Sequence, residues 1–158
     1  MTHAELVERG AKWLKNSCPM RSQIVLTEFV TLSGGEIPDV IGFSRTHTNV
    51  IECKVSLEDF RADLKKPHRN GGGMGDWRMY LCPAGLISPE QVPPDWGLLY
   101  CYPKIIRIMI HPLKYKSHGD SPRNAEYNIL YAIARRAQMD GVLDKLLRTV
   151  KERKGNAE

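Results

Sequence analysis

Three residues with chemically active side chains occur in two neighbouring apolar segments of the chain. Asp39 lies in the first segment, and Glu52 and Lys54 lie in the second. Each segment has the length of a β-strand, in which residues two apart share a face and lie about 6.6 Å apart. Glu52 and Lys54 therefore project from one face, while Ile51 and Cys53 point into the protein. If Asp39 lies opposite them, two carboxylates and an ammonium meet at one point.

This set of side chains suits the hydrolysis of a phosphodiester bond. That reaction needs a water that attacks in line and a stabilised leaving oxygen, and one or two divalent metals can serve both needs. Magnesium prefers carboxylate oxygens, so Asp39 and Glu52 are candidate ligands, with the backbone carbonyl of Cys53 as a third. Lys54 could orient or deprotonate the water, or neutralise charge on the phosphorus oxygens. Each role requires a face that is open to substrate. The alternative is an exposed cross-strand ion pair without a catalytic role.

The surrounding sequence predicts the elements that must position these residues. Apolar periodicity, turn residues and capping signals predict a helix over 4–15, strands over 23–32, 37–43 and 50–55, a helix from Ser56 to before Pro67, strands over 79–82, 97–101 and 104–110, and a helical region from Pro122 that is interrupted near Gly141. The natural packing of this order is one α/β domain, in which a mixed sheet is flanked by helices.

The bulk properties limit the class of protein. A chain of 158 residues is the size of one domain. Its composition, with 42% hydrophobic and 26% charged residues, is that of a globular protein. No apolar run approaches the ~20 residues that span a bilayer, and the N-terminus lacks the apolar region of a signal peptide, so we expect no membrane partner and a cytoplasmic location. The four cysteines form no C-x-x-C pair, which argues against zinc or redox chemistry. A net charge of +5 favours polyanionic partners.

Basic side chains bracket a glycine-rich segment over 70–76. They could hold phosphates on either side of a scissile bond, and they are Lys65, Lys66, His68, Arg69 and Arg78. The alternative is a solvated basic face. The segment is not a phosphate-binding P-loop, because no Gly-Lys-Ser/Thr follows it, and we interpret it as a flap or a linker.

These motifs resemble the PD-(D/E)xK nuclease superfamily, which has the restriction-endonuclease-like fold. Within it the chain is most similar to the MmcB-like bacterial DNA-repair proteins, over about 28–110. The similar segments are 27–32, the Pro-Asp-Val-Ile core at 38–41, 51–56, the Asp-Phe-Arg-Ala-Asp sequence at 59–63, 80–83 and 94–99. Two features depart from the family: aromatic residues that follow the 59–63 segment are replaced here by Lys66-Pro67-His68-Arg69, and the C-terminal helices have no counterpart.

The resemblance implies a fold, an activity and further site residues. It implies that residues 1–158 form a single restriction-endonuclease-like domain, with a core over about 3–112 and a C-terminal helical extension over about 121–154. The implied activity is that of a magnesium- or manganese-dependent deoxyribonuclease in DNA repair, recombination or a phage or mobile-element context. An acid from the first strand or the first helix often completes the metal site in this superfamily, which makes Glu28 and Glu5 the candidates.

Two further hypotheses remain beside this one. The first is a catalytically inactive DNA-binding module on the same fold. The second is a protein-interaction role, such as homodimer formation, carried by apolar residues of the C-terminal helices, although internal packing would explain them equally well. Those residues are Leu130, Ile133, Ala137, Leu143, Leu146, Leu147 and Val150.

Overall fold

The fold consists of a six-stranded sheet with helices on both faces. The computed structural model describes residues 1–29, 37–66, 73–114 and 121–145. Its elements are α1 (His3–Asn16), β1 (Ile24–Thr27), β2 (Val40–Phe43), β3 (Thr48–Cys53), α2 (Leu57–Asp63), β4 (Trp77–Pro83), a 3-10 turn (Pro89–Gln91), β5 (Trp96–Cys101), β6 (Ile106–Ile110) and α3 (Ser121–Met139). The predicted α/β class with a mixed sheet flanked by helices is confirmed.

The strands follow one another across the sheet in chain order. The first three form an antiparallel meander, β4 and β5 run parallel to β3, and β6 returns antiparallel to β5. As a consequence, the start of β2 and the carboxyl ends of β3, β4 and β5 lie at the same edge of the sheet. We name this edge the β3 carboxyl edge.

The two sheet faces are covered by different helices. On one face α1 packs through Leu6, Val7, Trp13 and Leu14 on the centre of the sheet. On the other face Phe60 of α2 packs against Tyr80. The predicted start of α2 is confirmed, because the hydroxyl of Ser56 accepts a hydrogen bond from the amide of Asp59 at 3.1 Å.

Helix α3 packs on the β2 and β3 end of the second face. Ile129, which is 2% exposed, joins the cluster formed by Ile41, Phe43, Val50 and Met74. Internal packing therefore accounts for part of the apolar face of this helix. The helix ends at Met139, and Gly141 adopts a left-handed φ of +67°, which is the interruption predicted there.

Polar contacts fix α3 at the same place. The Glu126 carboxylate accepts hydrogen bonds from the Gly75 amide at 2.9 Å and the Thr48 hydroxyl at 2.8 Å. Arg123 donates to Glu126 and to Asp76. Within the described part of the chain, no helix is both long and apolar enough to cross a membrane.

β1 and β2 are shorter than the predicted strands, and β3 begins and ends two residues earlier than predicted. The first strand ends at Thr27, and Glu28 has a φ of +45°, which is unfavourable in a strand. Asp39 precedes β2 and Lys54 follows β3, so both lie at strand ends. The predicted strand residues 30–32 fall outside the described residues.

Candidate active site

The pairing of β2 with β3 brings Asp39 to the Glu52 and Lys54 segment. Val40 pairs with Ile51 in the antiparallel register, so Asp39 lies beside Glu52 at the β3 carboxyl edge. The Asp39 Oδ2 atom accepts a hydrogen bond from the backbone amide of Cys53 at 2.7 Å. The predicted meeting of the two strand ends is therefore present in the fold.

Glu52 and Lys54 are both buried on the face covered by α2. Their exposed fractions are 3% and 4%, and the Lys54 Nζ lies 3.7 Å from the Glu52 Oε2. The open face that the catalytic roles require is therefore absent here, because α2 covers both side chains. The shared direction of the two side chains is as expected, and so is the burial of Ile51 and Cys53 against α1.

Asp63 of α2 is a residue of this site that the sequence reasoning did not assign. Its side chain is 0% exposed, and one carboxylate oxygen lies 3.2 Å from the Lys54 Nζ. The same oxygen accepts from Lys66 at 2.9 Å, and the other accepts from the Tyr80 hydroxyl at 2.9 Å. A buried carboxylate needs this compensation, since an uncompensated charge in the interior is very costly.

Lys54 is therefore surrounded by acids. Besides Glu52 and Asp63, the exposed Asp59 places a carboxylate oxygen 3.8 Å from the Lys54 Nζ. Asp59 and Asp63 lie four residues apart on one side of α2. The Asp-x-x-x-Asp spacing directly after Lys54 was the available sequence signal, but spacing alone does not say which acid is buried.

A second cluster at the β3 carboxyl edge joins Asp39 to His3 and Glu28. The His3 Nε2 lies 3.4 Å from the Asp39 Oδ2, and the His3 Nδ1 lies 3.9 Å from the Glu28 Oε1. One ligand atom from each residue lies within 4.8 Å of the other two. His3 was missed in the sequence because a single histidine at the start of a helix has no motif around it. Glu28, a candidate from the sequence, lies in this cluster, with 63% of its side chain exposed.

Glu5, the other candidate acid, caps α1. Its carboxylate accepts a hydrogen bond from the Thr2 backbone amide at 2.6 Å, and the Thr2 hydroxyl accepts from the Glu5 amide at 3.2 Å. The hydrogen bond from the Thr2 amide lowers the pKa of the Glu5 carboxyl. Within the described residues Glu5 is not part of the His3 cluster, so its expected place at the metal site is not supported.

Cys53 takes part in the candidate site through its backbone amide, while its thiol lies in the core. Burial, together with the negative charges of Asp39 and Glu52, raises the pKa of the thiol far above its ordinary value. The protonated thiol packs in the core beneath α1. It is therefore unsuited to act as a nucleophile or a metal ligand at neutral pH.

The basic residues predicted to bind DNA occupy different environments. Arg78 is 2% exposed, and its guanidinium lies 4.8 Å from the ring centre of Trp96. Its expected contact with a phosphate at the surface is therefore not supported by its position. Lys66 binds Asp63, Lys65 is exposed, and His68 and Arg69 fall outside the described residues.

Comparison with known proteins supplies a fold and no activity. No protein-family model matches the chain, and no curated protein matches it. A solved structure of a protein of unknown function from Silicibacter pomeroyi is similar, with a TM-score of 0.61 and 24% sequence identity over 87% of this chain and 90% of that chain. At this identity the similarity shows that the two proteins share an α/β fold with a mixed sheet flanked by helices.

Proposed function

We propose that the protein is a metal-dependent nuclease that hydrolyses phosphodiester bonds in DNA. The observation that carries the proposal is the β2 to β3 register, which places Asp39 beside Glu52 and bonds its carboxylate to the amide between Glu52 and Lys54. Two neighbouring strands thus supply two carboxylates and a lysine at one sheet edge. The resemblance to the PD-(D/E)xK superfamily is the reason for interpreting this arrangement as a nuclease site. It also suggests the biological context, which is DNA repair, recombination, or a phage or mobile element.

The residues that would hold a metal are Asp39, Glu28 and His3, and the Glu52 carboxylate, predicted as a ligand, is not part of this group. A bound divalent cation would supply an activated water and stabilise charge on the leaving oxygen. Carboxylate oxygens suit Mg²⁺ and Mn²⁺, whereas an imidazole nitrogen favours a transition metal. The mixed donor set of His3, Glu28 and Asp39 therefore fits Mn²⁺ better than Mg²⁺.

Lys54 has a defined role in this proposal. Its ammonium is held beside Glu52 by Asp63, so it is positioned before a substrate arrives. Approach of a phosphate to the ammonium requires α2 to shift, because both Lys54 and Glu52 are buried beneath it. Once exposed, Lys54 would stabilise charge on the phosphate oxygens.

The burial of Lys54 favours a second candidate, a DNA-binding module without turnover. Three carboxylates lie within 4.0 Å of its Nζ, at 3.7, 3.8 and 3.2 Å, an arrangement that also serves as a purely structural ion-pair network. In that case the protein would bind DNA and leave it intact.

The test of the leading proposal is a cleavage panel. Supercoiled, linear duplex, flap and single-stranded DNA, together with RNA, are incubated with the protein in Mn²⁺, in Mg²⁺ and in EDTA. We expect DNA cleavage that needs the metal and is faster in Mn²⁺. Binding of DNA with no cleavage in any condition would favour the inactive module, and cleavage in EDTA would contradict both candidates.

The His3→Ala protein tests the metal ligands. We expect its Mn²⁺ affinity to fall at least about tenfold, because even outer-shell partners of a metal site contribute about that much. The Mg²⁺ affinity should change less, since Mg²⁺ binds oxygen in preference to imidazole. Isothermal titration measures both, and His111→Ala, which removes an exposed histidine elsewhere, is the matched control. Identical Mn²⁺ isotherms for the two variants would remove His3 from the site.

A further inference from the structure

A concave basic surface lies between α1 and the turn that joins β5 to β6. This groove, which we name the α1 groove, has a volume of about 440 Å³ and is lined by Arg9, Lys12 and Lys104 among others. None of the described residues that line it is an aspartate or a glutamate. Three cations from two distant parts of the chain thus face one cavity.

The polar lining and the walls of the α1 groove suit a phosphate chain. Asn16 and Ser17 add an amide and a hydroxyl beside the cations, and Trp13 forms part of the wall. Arg9 donates a hydrogen bond to the backbone carbonyl of Tyr102, which ties α1 to the β5 to β6 turn. The two sides of the groove are therefore held together before a ligand binds.

The charges of the α1 groove remain available to a ligand. Lys12 forms an exposed pair with Glu8, whose carboxylate lies 2.6 Å from the Lys12 Nζ. Exposed pairs of this kind contribute only about 0 to 1 kcal/mol, so a phosphate can compete for Lys12. Lys104 is exposed and takes part in no ion pair with another described residue.

A second groove serves as an internal comparison. It lies between α3 and the β2 to β3 turn, has a volume of about 420 Å³, and is lined by Arg45 and Arg123. There Arg123 is bound to Asp76 and to Glu126, which itself lines the groove. The balance of charge favours the α1 groove as the site for a polyanion.

One border of the α1 groove, at Lys104, lies at the same end of the sheet as the candidate active site. Lys54 follows β3 and Lys104 follows β5, and these parallel strands end at the β3 carboxyl edge. Adjacent strands are about 4.8 Å apart, so the two positions are separated laterally by two strand spacings, roughly 10 Å. Lys54 lies beneath α2 on the opposite face, so a nucleic-acid strand that reaches both residues passes around the β3 carboxyl edge.

We propose that the α1 groove binds the sugar-phosphate backbone of a nucleic-acid strand through Arg9, Lys12 and Lys104. The inference rests on the proposed function, since it states where the substrate backbone lies relative to the cleavage site. Backbone contacts of this kind position a strand and do not read its sequence. The groove therefore predicts affinity that depends on salt and little on base composition.

Charge reversal at Lys104 tests the groove in EDTA, where binding is separated from cleavage. Fluorescence anisotropy of labelled single-stranded and duplex oligonucleotides is measured over a series of NaCl concentrations. We expect Lys104→Glu to weaken binding roughly tenfold, the effect of one charge-assisted hydrogen bond, and to reduce the salt slope by about one. Glu8→Gln, which releases Lys12, should tighten binding.

The matched control is Lys114→Glu, which makes the same change of charge at an exposed lysine outside the groove. Equal loss of affinity in the two variants would overturn the proposal, because net charge alone would explain it. Binding of phosphatidylserine vesicles through Lys104, with no binding of oligonucleotides, would overturn it in favour of a membrane surface.

The groove and the nuclease activity can fail separately. If the parent binds DNA through Lys104 and cleaves nothing, the proposed binding groove is supported and the proposed nuclease activity is contradicted. If the parent cleaves DNA and the Lys104→Glu and Lys114→Glu variants bind DNA with equal affinity, the nuclease activity is supported and the proposed binding groove is contradicted. Circular dichroism of each variant confirms that the fold is unchanged.

Discussion

The Asp39→Asn protein is expected to cleave DNA roughly a hundredfold or more slowly than the parent in Mn²⁺. Asp39 is the residue shared by the His3 cluster and the Glu52 segment, so the substitution removes one negative charge from both. Metal assistance contributes several kcal/mol to such a reaction, and about 1.4 kcal/mol corresponds to a factor of ten in rate. The initial rate on supercoiled and single-stranded DNA measures the effect.

The asparagine variant separates chemistry from folding. Its amide oxygen can still accept the hydrogen bond from the Cys53 amide that Asp39 accepts at 2.7 Å. We therefore expect a thermal midpoint close to that of the parent, together with a weaker Mn²⁺ isotherm. Asp144→Asn, at an exposed position in the C-terminal region, is the matched control and should cleave normally. If the Asp39→Asn variant cleaves DNA as fast as the parent at saturating metal, Asp39 is not a catalytic residue.

The second large effect is expected on stability. Asp63→Ala should lower the free energy of unfolding by about 3–5 kcal/mol, the usual cost of removing one partner from a buried ion pair. The carboxylate is 0% exposed and lies beside Lys54, and it accepts the hydroxyl hydrogen bond of Tyr80. Its loss leaves the buried ammonium under-compensated and removes the acceptor of a buried hydroxyl. Urea denaturation monitored by tryptophan fluorescence measures the change.

Asp59→Ala is the matched control for that prediction. Asp59 lies on the same helix, and its carboxylate is also within 4 Å of the Lys54 Nζ, at 3.8 Å, but 48% of its side chain is exposed. Exposed ion pairs contribute about 0.2–1 kcal/mol, so its removal should cost several-fold less. Equal costs for the two substitutions would show that burial of Asp63 is not what stabilises α2 over the sheet.

A double-mutant cycle then isolates the contact itself. Lys54→Met should cost less in the Asp63→Ala background than in the parent, because the two residues form one network. Additive costs would mean that the 3.2 Å contact between Lys54 and Asp63 carries no coupling. We expect Asp39→Asn to lose cleavage activity and keep its stability, and Asp63→Ala to lose stability. This pair of results would separate the catalytic part of the site from the part that holds Lys54.

The sequence by itself determined the elements and the principal residues of the candidate site. Apolar periodicity located α1, and the hydroxyl of Ser56 set the start of α2. Alternation along a strand placed Glu52 and Lys54 on one face. These properties are local, because a helix cap or a strand face depends on residues within a few positions of one another.

Only the tertiary structure decided which other residues reach that site and which faces remain open. His3 reaches Asp39 because α1 crosses the start of β2, and Asp63 reaches Lys54 because α2 folds back over β3. Arg78, predicted at the surface, lies in the interior over Trp96, while Arg9 and Lys104 meet across a groove. The reason is physical: burial and the meeting of distant charges depend on how helices pack on the sheet, and that packing joins residues that no local pattern connects.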